Sequence, residues 1–214
     1  MTSESKYLSF QFENLEHQHE TRTLGMWVFL MTELMLFGGL FTAYAAYRYV
    51  YPVAFADGSQ HLDAALGAIN TAVLIISSLM MALAVHSAQT GKGKALVLCL
   101  LLTMLFGAGF LGIKAIEYYR HYQEQLAPGI AFEYPGAQAR AVELFFVLYF
   151  AMTGLHAIHL TIGIGLVGIT IVLVWRGLIS PAYWTPVELV GLYWHFVDVI
   201  WIFLFPLLYL IHPA

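Results

Sequence analysis

Five stretches of this chain are each long and apolar enough to cross a lipid bilayer, and that property limits the available folds more than any other. A hydrocarbon core of about 30 Å is crossed by about 20 apolar residues in a helix. Residues 24–50, 66–86, 95–116, 142–175 and 187–211 all qualify. Each is too long for a strand, and none shows the two-residue alternation of a barrel strand. Backbone groups in lipid must find their hydrogen bonds within the segment, so these stretches are helices. The expected architecture is an all-α integral membrane protein with five transmembrane helices. The fourth stretch is longer than one crossing requires and should tilt or project from the bilayer. Turn-forming residues fall between the stretches: Pro52 and Asp57-Gly58, Gly91-Lys92-Gly93, Pro128-Gly129 with Pro135-Gly136, and Ser180-Pro181. None of these connections has the length of a soluble domain, so residues 24–214 read as one five-helix membrane domain. Composition agrees, because 60% hydrophobic and 10% charged residues leave too little charge to cover a soluble surface.

Residues 1–23 form a polar, mostly acidic arm carrying Glu4, Glu13, Glu16 and Glu20 with His17 and His19. A secretory signal would start with positive charge and run directly into a short apolar core, and this arm does neither. It is expected to stay on the side where it was made. The net charge is -4 and there is no basic run, so nucleic acid is not an expected partner. With one cysteine, Cys99, no disulfide can form within the chain.

Lysine and arginine placement gives an expected orientation. With the N-terminus inside, the inner side carries Lys6, Arg22, Lys92, Lys94 and Arg176, and the outer side Arg48, Arg120 and Arg140. The five-to-three bias favours N-inside and C-outside. Lys114, near the outer end of the third stretch, is expected to snorkel outward. Small residues recur every four positions at Gly38, Thr42 and Ala46, at Ala108 and Gly112, and at Thr161 and Gly165. Such stripes permit close helix contact, with each other or with another chain.

Ionisable side chains inside a bilayer each cost a few kcal/mol, roughly, so each needs a physical reason. Glu33 lies about ten residues into the first stretch, near mid-membrane. Hydrocarbon penalises its charged form unless a partner is close. It reads either as a proton carrier or lipid anchor, or as an acid held by an interhelical hydrogen bond. His156 and His159 are three apart and project from one side of the fourth helix. They read as metal or haem ligands, or as hydrogen-bonded packing groups. Ligation needs further ligands, and within the spans only His86 and His195 remain. On the last helix Glu188 and His195 are nearly in register, with Asp198 about 60° away. These three either relay protons or satisfy one another against a neighbouring helix. Lys114 and Glu117 are spaced to pair locally at the outer end of the third helix. Pro206 is placed to kink the end of the fifth.

Taken together, these segments resemble subunit III of cytochrome c oxidase and its bacterial relatives. The signature is Trp194-His195-Phe196-Val197-Asp198-Val199-Ile200-Trp201 on the last helix. Four further elements agree in order: Gly25-Met26 followed by Thr32-Glu33, Ile69-Asn70-Thr71, Glu117-Tyr118-Tyr119, and Gly154-Leu155-His156-Ala157-Ile158-His159. The resemblance implies an accessory subunit without haem or copper of its own, those residing in subunits I and II. It implies packing against subunit I, bound phospholipid, and a role in keeping proton uptake and turnover stable. Glu33 matches the family's intramembrane glutamate near the lipids, and Arg176 matches a headgroup-binding arginine. Arg22 is a further lipid candidate, from its position at the inner end of the first helix. The histidine pair then belongs, with Glu188, His195, Asp198 and Glu117, to a buried polar network. The longest family members have seven helices. The N-terminal pair absent here would be replaced by helices of subunit I or by a small subunit IV.

The expected setting is the bacterial cytoplasmic membrane, in a proton-translocating terminal oxidase fed by cytochrome c. Glu33, and Lys114 before Glu117-Tyr118, favour that branch over a quinol oxidase or a homologue associated with nitric oxide reductase. Two other classes compete. A small membrane redox protein would use His156, His159 and His195, and a transporter would be built around Glu33. The second expects inverted repeats and broken helices, and the sequence has no such repeat.

Overall fold

The computed structural model describes residues 14–129, 131–135 and 138–210. Its elements are α1 (Leu15–Val50), α2 (Pro52–Gln60), α3 (Ala64–Gln89), α4 (Gly93–Gln123), β1 (Leu126–Ala127), β2 (Ala131–Phe132), α5 (Ala139–Trp175) and α6 (Thr185–Tyr209). Five of them, α1, α3, α4, α5 and α6, are long and apolar enough to span a membrane. The apolar stretches read from the sequence lie within these helices, except that the last ran to 211 and α6 stops at Tyr209.

Helix ends follow local chemistry. Asn14 caps α1 by accepting a 2.8 Å hydrogen bond from the His17 amide. At 36 residues α1 is about 54 Å long, so its first turns, including part of the polar arm, extend beyond the hydrocarbon. Residues 1–13 of that arm lie outside the described residues. Asp63 caps α3 through two 3.0 Å bonds, from the amides of Ala65 and Leu66. The 37-residue α5 stops at Trp175, two residues before Gly177, whose φ of 68° continues no helix. Leu178 then donates back to the Leu173 carbonyl at 3.0 Å, the six-to-one bond of a glycine-terminated helix.

Two connections carry structure that turn residues alone do not signal. Pro52 opens α2, where its missing amide proton costs nothing. This short helix folds back over the end of the bundle with Phe55 fully buried, its ring 5.3 Å from Tyr44 and 5.5 Å from Phe145. Ser59 ties it down by donating to the Leu208 carbonyl at 2.8 Å. Between α4 and α5, β1 and β2 pair antiparallel, Leu126 opposite Phe132.

The bundle is organised around α6. It runs parallel to α1, with Phe29 near Tyr193 and Tyr44 bonded to the Leu207 carbonyl. It runs antiparallel to α3, where Ser78 meets His195 and Thr71 meets Trp201. Trp194 and Trp201, both fully buried, fill the space between α6 and its neighbours. Trp194 fits because two facing positions are glycine. A Cβ on Gly107 of α4 would lie 2.7 Å from the indole, and one on Gly163 of α5 would lie 3.1 Å away. The small-residue stripes singled out in the sequence are on the opposite faces. Added Cβ atoms at Gly38, Gly112 and Gly165 would meet nothing within 4 Å. Those stripes therefore do not join this chain's helices, and close packing uses neighbouring registers instead. α1 is the least enclosed helix: Leu24, Trp27, Val28, Met31 and Met35 are all more than half exposed.

Candidate functional site

Polar groups inside the spans resolve into separate clusters, each between particular helices. Glu33 of α1 meets His159 of α5 at 2.9 Å from Nε2. The other ring nitrogen, Nδ1, lies 2.8 Å from the Leu155 carbonyl, one helical turn back. A carbonyl only accepts, so Nδ1 carries the proton on that bond. The Glu33 contact is then a carboxylate on imidazolium or a protonated acid on neutral imidazole, and one proton is held between the two groups either way. The imidazole is clamped further by Phe37, 5.4 Å away, and by Tyr193, whose hydroxyl donates to the His159 carbonyl at 3.0 Å. Glu33 keeps 18% of its side chain exposed, so the pair has an outward edge.

A second cluster lies between α4, α5 and α6. Lys114 donates to Glu117 at 2.9 Å and to Tyr149 at 3.2 Å, and also to Tyr209. Glu117 accepts in addition from Tyr149 at 2.9 Å and from Tyr209. The ammonium sits 4.9 Å from the Trp201 ring centre and 5.2 Å from those of Tyr149 and Tyr209, an aromatic cage for a cation. Lys114 and Glu117 are each only 3% exposed. The expectation of an outward-snorkelling lysine is therefore wrong. The i, i+3 spacing predicted the pair, but Tyr149 and Tyr209, distant in sequence, turn it inward.

His156 departs from the reading as a hydrogen-bonded packing group. It is fully buried against Phe110 and Trp201, and neither ring nitrogen has a hydrogen-bond partner. His195 instead meets the Ser78 hydroxyl at 2.7 Å, across the α3–α6 contact. Asp198 is 3% exposed beside them, and neither carboxyl oxygen makes a hydrogen bond. Glu188, at the start of α6, faces His19 of α1 at 3.5 Å, and His19 also meets Thr185 at 3.1 Å. Glu188, His195 and Asp198 share a stripe, as the periodicity implies; His195 and Asp198 both adjoin Ser78 of α3, whereas Glu188 sits apart against His19. His156, His159 and His195 likewise point to three different neighbourhoods. Among the described residues, no three His, Cys, Asp or Glu side chains group as a metal site.

The remaining lipid candidates occupy one end of the bundle. Arg22 of α1 donates to the Tyr183 hydroxyl, just before α6. Arg176 is exposed at the C-terminal end of α5, which runs antiparallel to α1. Eleven residues separate Arg22 from Glu33, which sets them about 20° apart in register and about 16 Å apart along α1. An apolar groove of about 510 Å³ opens sideways between α1 and α6, from Trp27 to Phe41 on α1.

Comparison with known proteins places this arrangement. The family model for cytochrome c oxidase subunit III matches residues 4–212. The chain is 36% identical over 203 residues to quinol oxidase subunit 3 of Bacillus subtilis, covering 92% of this chain and 91% of the relative. It is 34% identical to quinol oxidase subunit 3 of Bacillus spizizenii, with the same coverage. It is 33% identical over 201 residues to cytochrome c oxidase subunit 3 of Synechocystis, covering 91% of this chain and 78% of that one.

Proposed function

The chain belongs to the cytochrome c oxidase subunit III family, and from that premise we propose that it is the accessory, cofactor-free subunit of a haem-copper terminal oxidase that takes its electrons from a quinol. It is a multi-pass protein of the bacterial inner membrane, and its family membership makes it part of a respiratory enzyme complex. One observation carries the accessory reading. Among the described residues, the ionisable groups inside the spans are either matched to residues of this chain or enclosed singly, and none converges on a common reaction centre. Their work is to hold helices together, with the electron-carrying groups in subunits I and II.

The quinol donor replaces the cytochrome c expectation as the first reading. Both Bacillus relatives named above are quinol oxidase subunits. Lys114, taken from the sequence as a mark of the cytochrome c branch, belongs to a buried packing cluster. The cytochrome c reading stays as the second, on the Synechocystis relative at 33% identity. Purifying the complex through a tag on this chain tests both levels. Co-purification with haem-bearing subunits, and oxygen consumption driven by a quinol and not by reduced cytochrome c, is the expected result. A chain that purifies alone with its own stoichiometric iron or copper would overturn the accessory assignment.

Phospholipid is the ligand proposed for this chain. Arg22 and Arg176 stand at the bundle end where headgroup phosphates lie, and a guanidinium suits phosphate through its paired donors. The wholly apolar groove beginning at Trp27, about a turn and a half from Arg22, offers an acyl chain a bed. Glu33 opens its free edge deeper in the bilayer. Residues 1–23 are proposed as the aqueous arm and 24–214 as the membrane domain, with the N-terminus inside. Subunit I is the proposed main contact, with a small subunit IV or extra subunit I helices beside α1, whose outer face is apolar and uncovered.

A further inference from the structure

We infer that the groove between α3 and α6 is a site for the ring of a quinone or quinol, held by a hydrogen bond to His195 Nε2. The inference rests on the quinol reading above and adds to it a place on this chain where the donor is held in the bilayer without being oxidised.

The groove measures about 330 Å³, within the range of about 300–1,000 Å³ usual for small-molecule sites. Its polar lining is Ser78, His195 and Asp198. Asp198 takes no part, because both its carboxyl oxygens are enclosed within this chain. His195 is half-buried, and its Nδ1 is engaged with the Ser78 hydroxyl at 2.7 Å. Nε2 has no partner among the described residues, yet it is not sealed in as the His156 nitrogens are. The α1–α6 groove on the other flank of His195 is wholly apolar, so the free nitrogen opens on the α3 side.

Depth and hydrogen-bonding capacity decide the occupant. His195 lies ten residues after Thr185 and fourteen before Tyr209, about 15 Å and about 21 Å along α6. Water and phospholipid headgroups stay outside that level, and an acyl chain has no atom to bond with. The occupant therefore dissolves in hydrocarbon and carries an oxygen. The Ser78 contact admits either tautomer of the imidazole. With the proton on Nδ1, Nε2 accepts from a hydroxyl; with the proton on Nε2, it donates to a carbonyl. A quinol offers the hydroxyl and a quinone the carbonyl, so one ring meets the same nitrogen in both redox states. The walls suit the rest of the molecule. Ile75 and Leu79 on α3 and Val199 and Ile202 on α6 are exposed and apolar, so a flat ring enters from the bilayer and its long apolar tail stays against them. The site holds the ring and passes no electrons, in keeping with the accessory reading.

The test uses the intact complex in phosphatidylcholine vesicles. A radiolabelled azidoquinone is photolysed with it, and the labelled peptides are identified by mass spectrometry. Label is expected on this chain within residues 74–82 and 195–202. Excess unlabelled quinone should remove that label, whereas added phosphatidylglycerol should not. His195→Phe keeps a flat ring without either nitrogen, and should weaken azidoquinone binding at these peptides by about tenfold, as loss of one hydrogen bond implies. Ile202→Trp should fill the mouth of the groove and abolish the label with Ser78 and His195 unaltered. The unaltered complex carries the decision if either variant misfolds. No label on these two peptides, label displaced equally by phospholipid, or His195→Phe labelled like the unaltered chain would overturn the inference and leave the quinol reading standing. A complex that consumes oxygen with reduced cytochrome c and not with a quinol would remove both.

Discussion

Removing both members of the Lys114–Glu117 pair should cost no more than removing either one alone. The ammonium and carboxylate lie 2.9 Å apart at 3% exposure, so neither has water to fall back on. Glu117→Leu strands the cation among Trp201, Tyr149 and Tyr209. Lys114→Met leaves a carboxylate facing two tyrosine hydroxyls and, at 3.9 Å, the His121 imidazole. Loss of one member of a buried pair costs about 3–5 kcal/mol, and the aromatic cage and tyrosine donors hold each single change near about 3. In the double variant neither charge of the pair remains, and the Tyr149 and Tyr209 hydroxyls, 3.4 Å apart, can bond each other. The double change should cost no more than about 3 kcal/mol, giving a coupling of about 3 kcal/mol between the two sites. Equilibrium unfolding in mixed micelles with increasing sodium dodecyl sulfate measures all three variants. Tryptophan emission reports the transition, because Trp201 sits 4.9 Å from the ammonium. Additive costs, or single costs below about 1 kcal/mol as for an exposed pair, would refute the buried cluster and restore a snorkelling lysine.

Other consequences are as direct. Glu33→Gln keeps a hydrogen bond to His159 and should leave folding nearly unchanged. Glu33→Ala orphans the imidazole and should destabilise by about 1–3 kcal/mol in the same assay. Arg176→Ala should reduce the phospholipid retained by the purified complex and shorten its catalytic lifetime, with initial turnover almost unaltered. An immediate large loss of initial turnover would count against lipid anchoring. Gly107→Ala drives a methyl into Trp194 and should cost about 1–3 kcal/mol, whereas Gly112→Ala, with open space beyond it, should be neutral for the isolated fold.

The spans were legible because twenty-odd apolar residues in a row have one physical solution, and the helices found contain those stretches almost entirely. The short helix α2 was not, since Pro52 and Asp57-Gly58 carry the same signals as an ordinary turn. Here Gly58 is helical, and its missing side chain makes room for the Phe145 ring. The candidate residues were visible as ionisable groups in oil, yet their partners were not. Glu33 and His159 are 126 positions apart, and nothing local in either segment names the other. Periodicity placed Glu188, His195 and Asp198 on one stripe correctly, but a stripe fixes angle and leaves depth and neighbours open. The small-residue rows misled for a related reason. Four-residue spacing marks a face suited to close contact, and Gly107 and Gly163, which meet Trp194, sit outside the rows picked out.

The claim beneath all of this is that the chain works by packing beside the redox subunits and transfers no electrons itself. The measurement closest to it is oxygen consumption by the purified oxidase before and after selective removal of this chain, followed over many turnovers with the haem spectrum recorded alongside. The account predicts an unchanged haem spectrum, a starting rate close to that of the full complex, and faster loss of activity with time. Loss of haem absorbance, or a starting rate that falls in proportion to the chain removed, would contradict it.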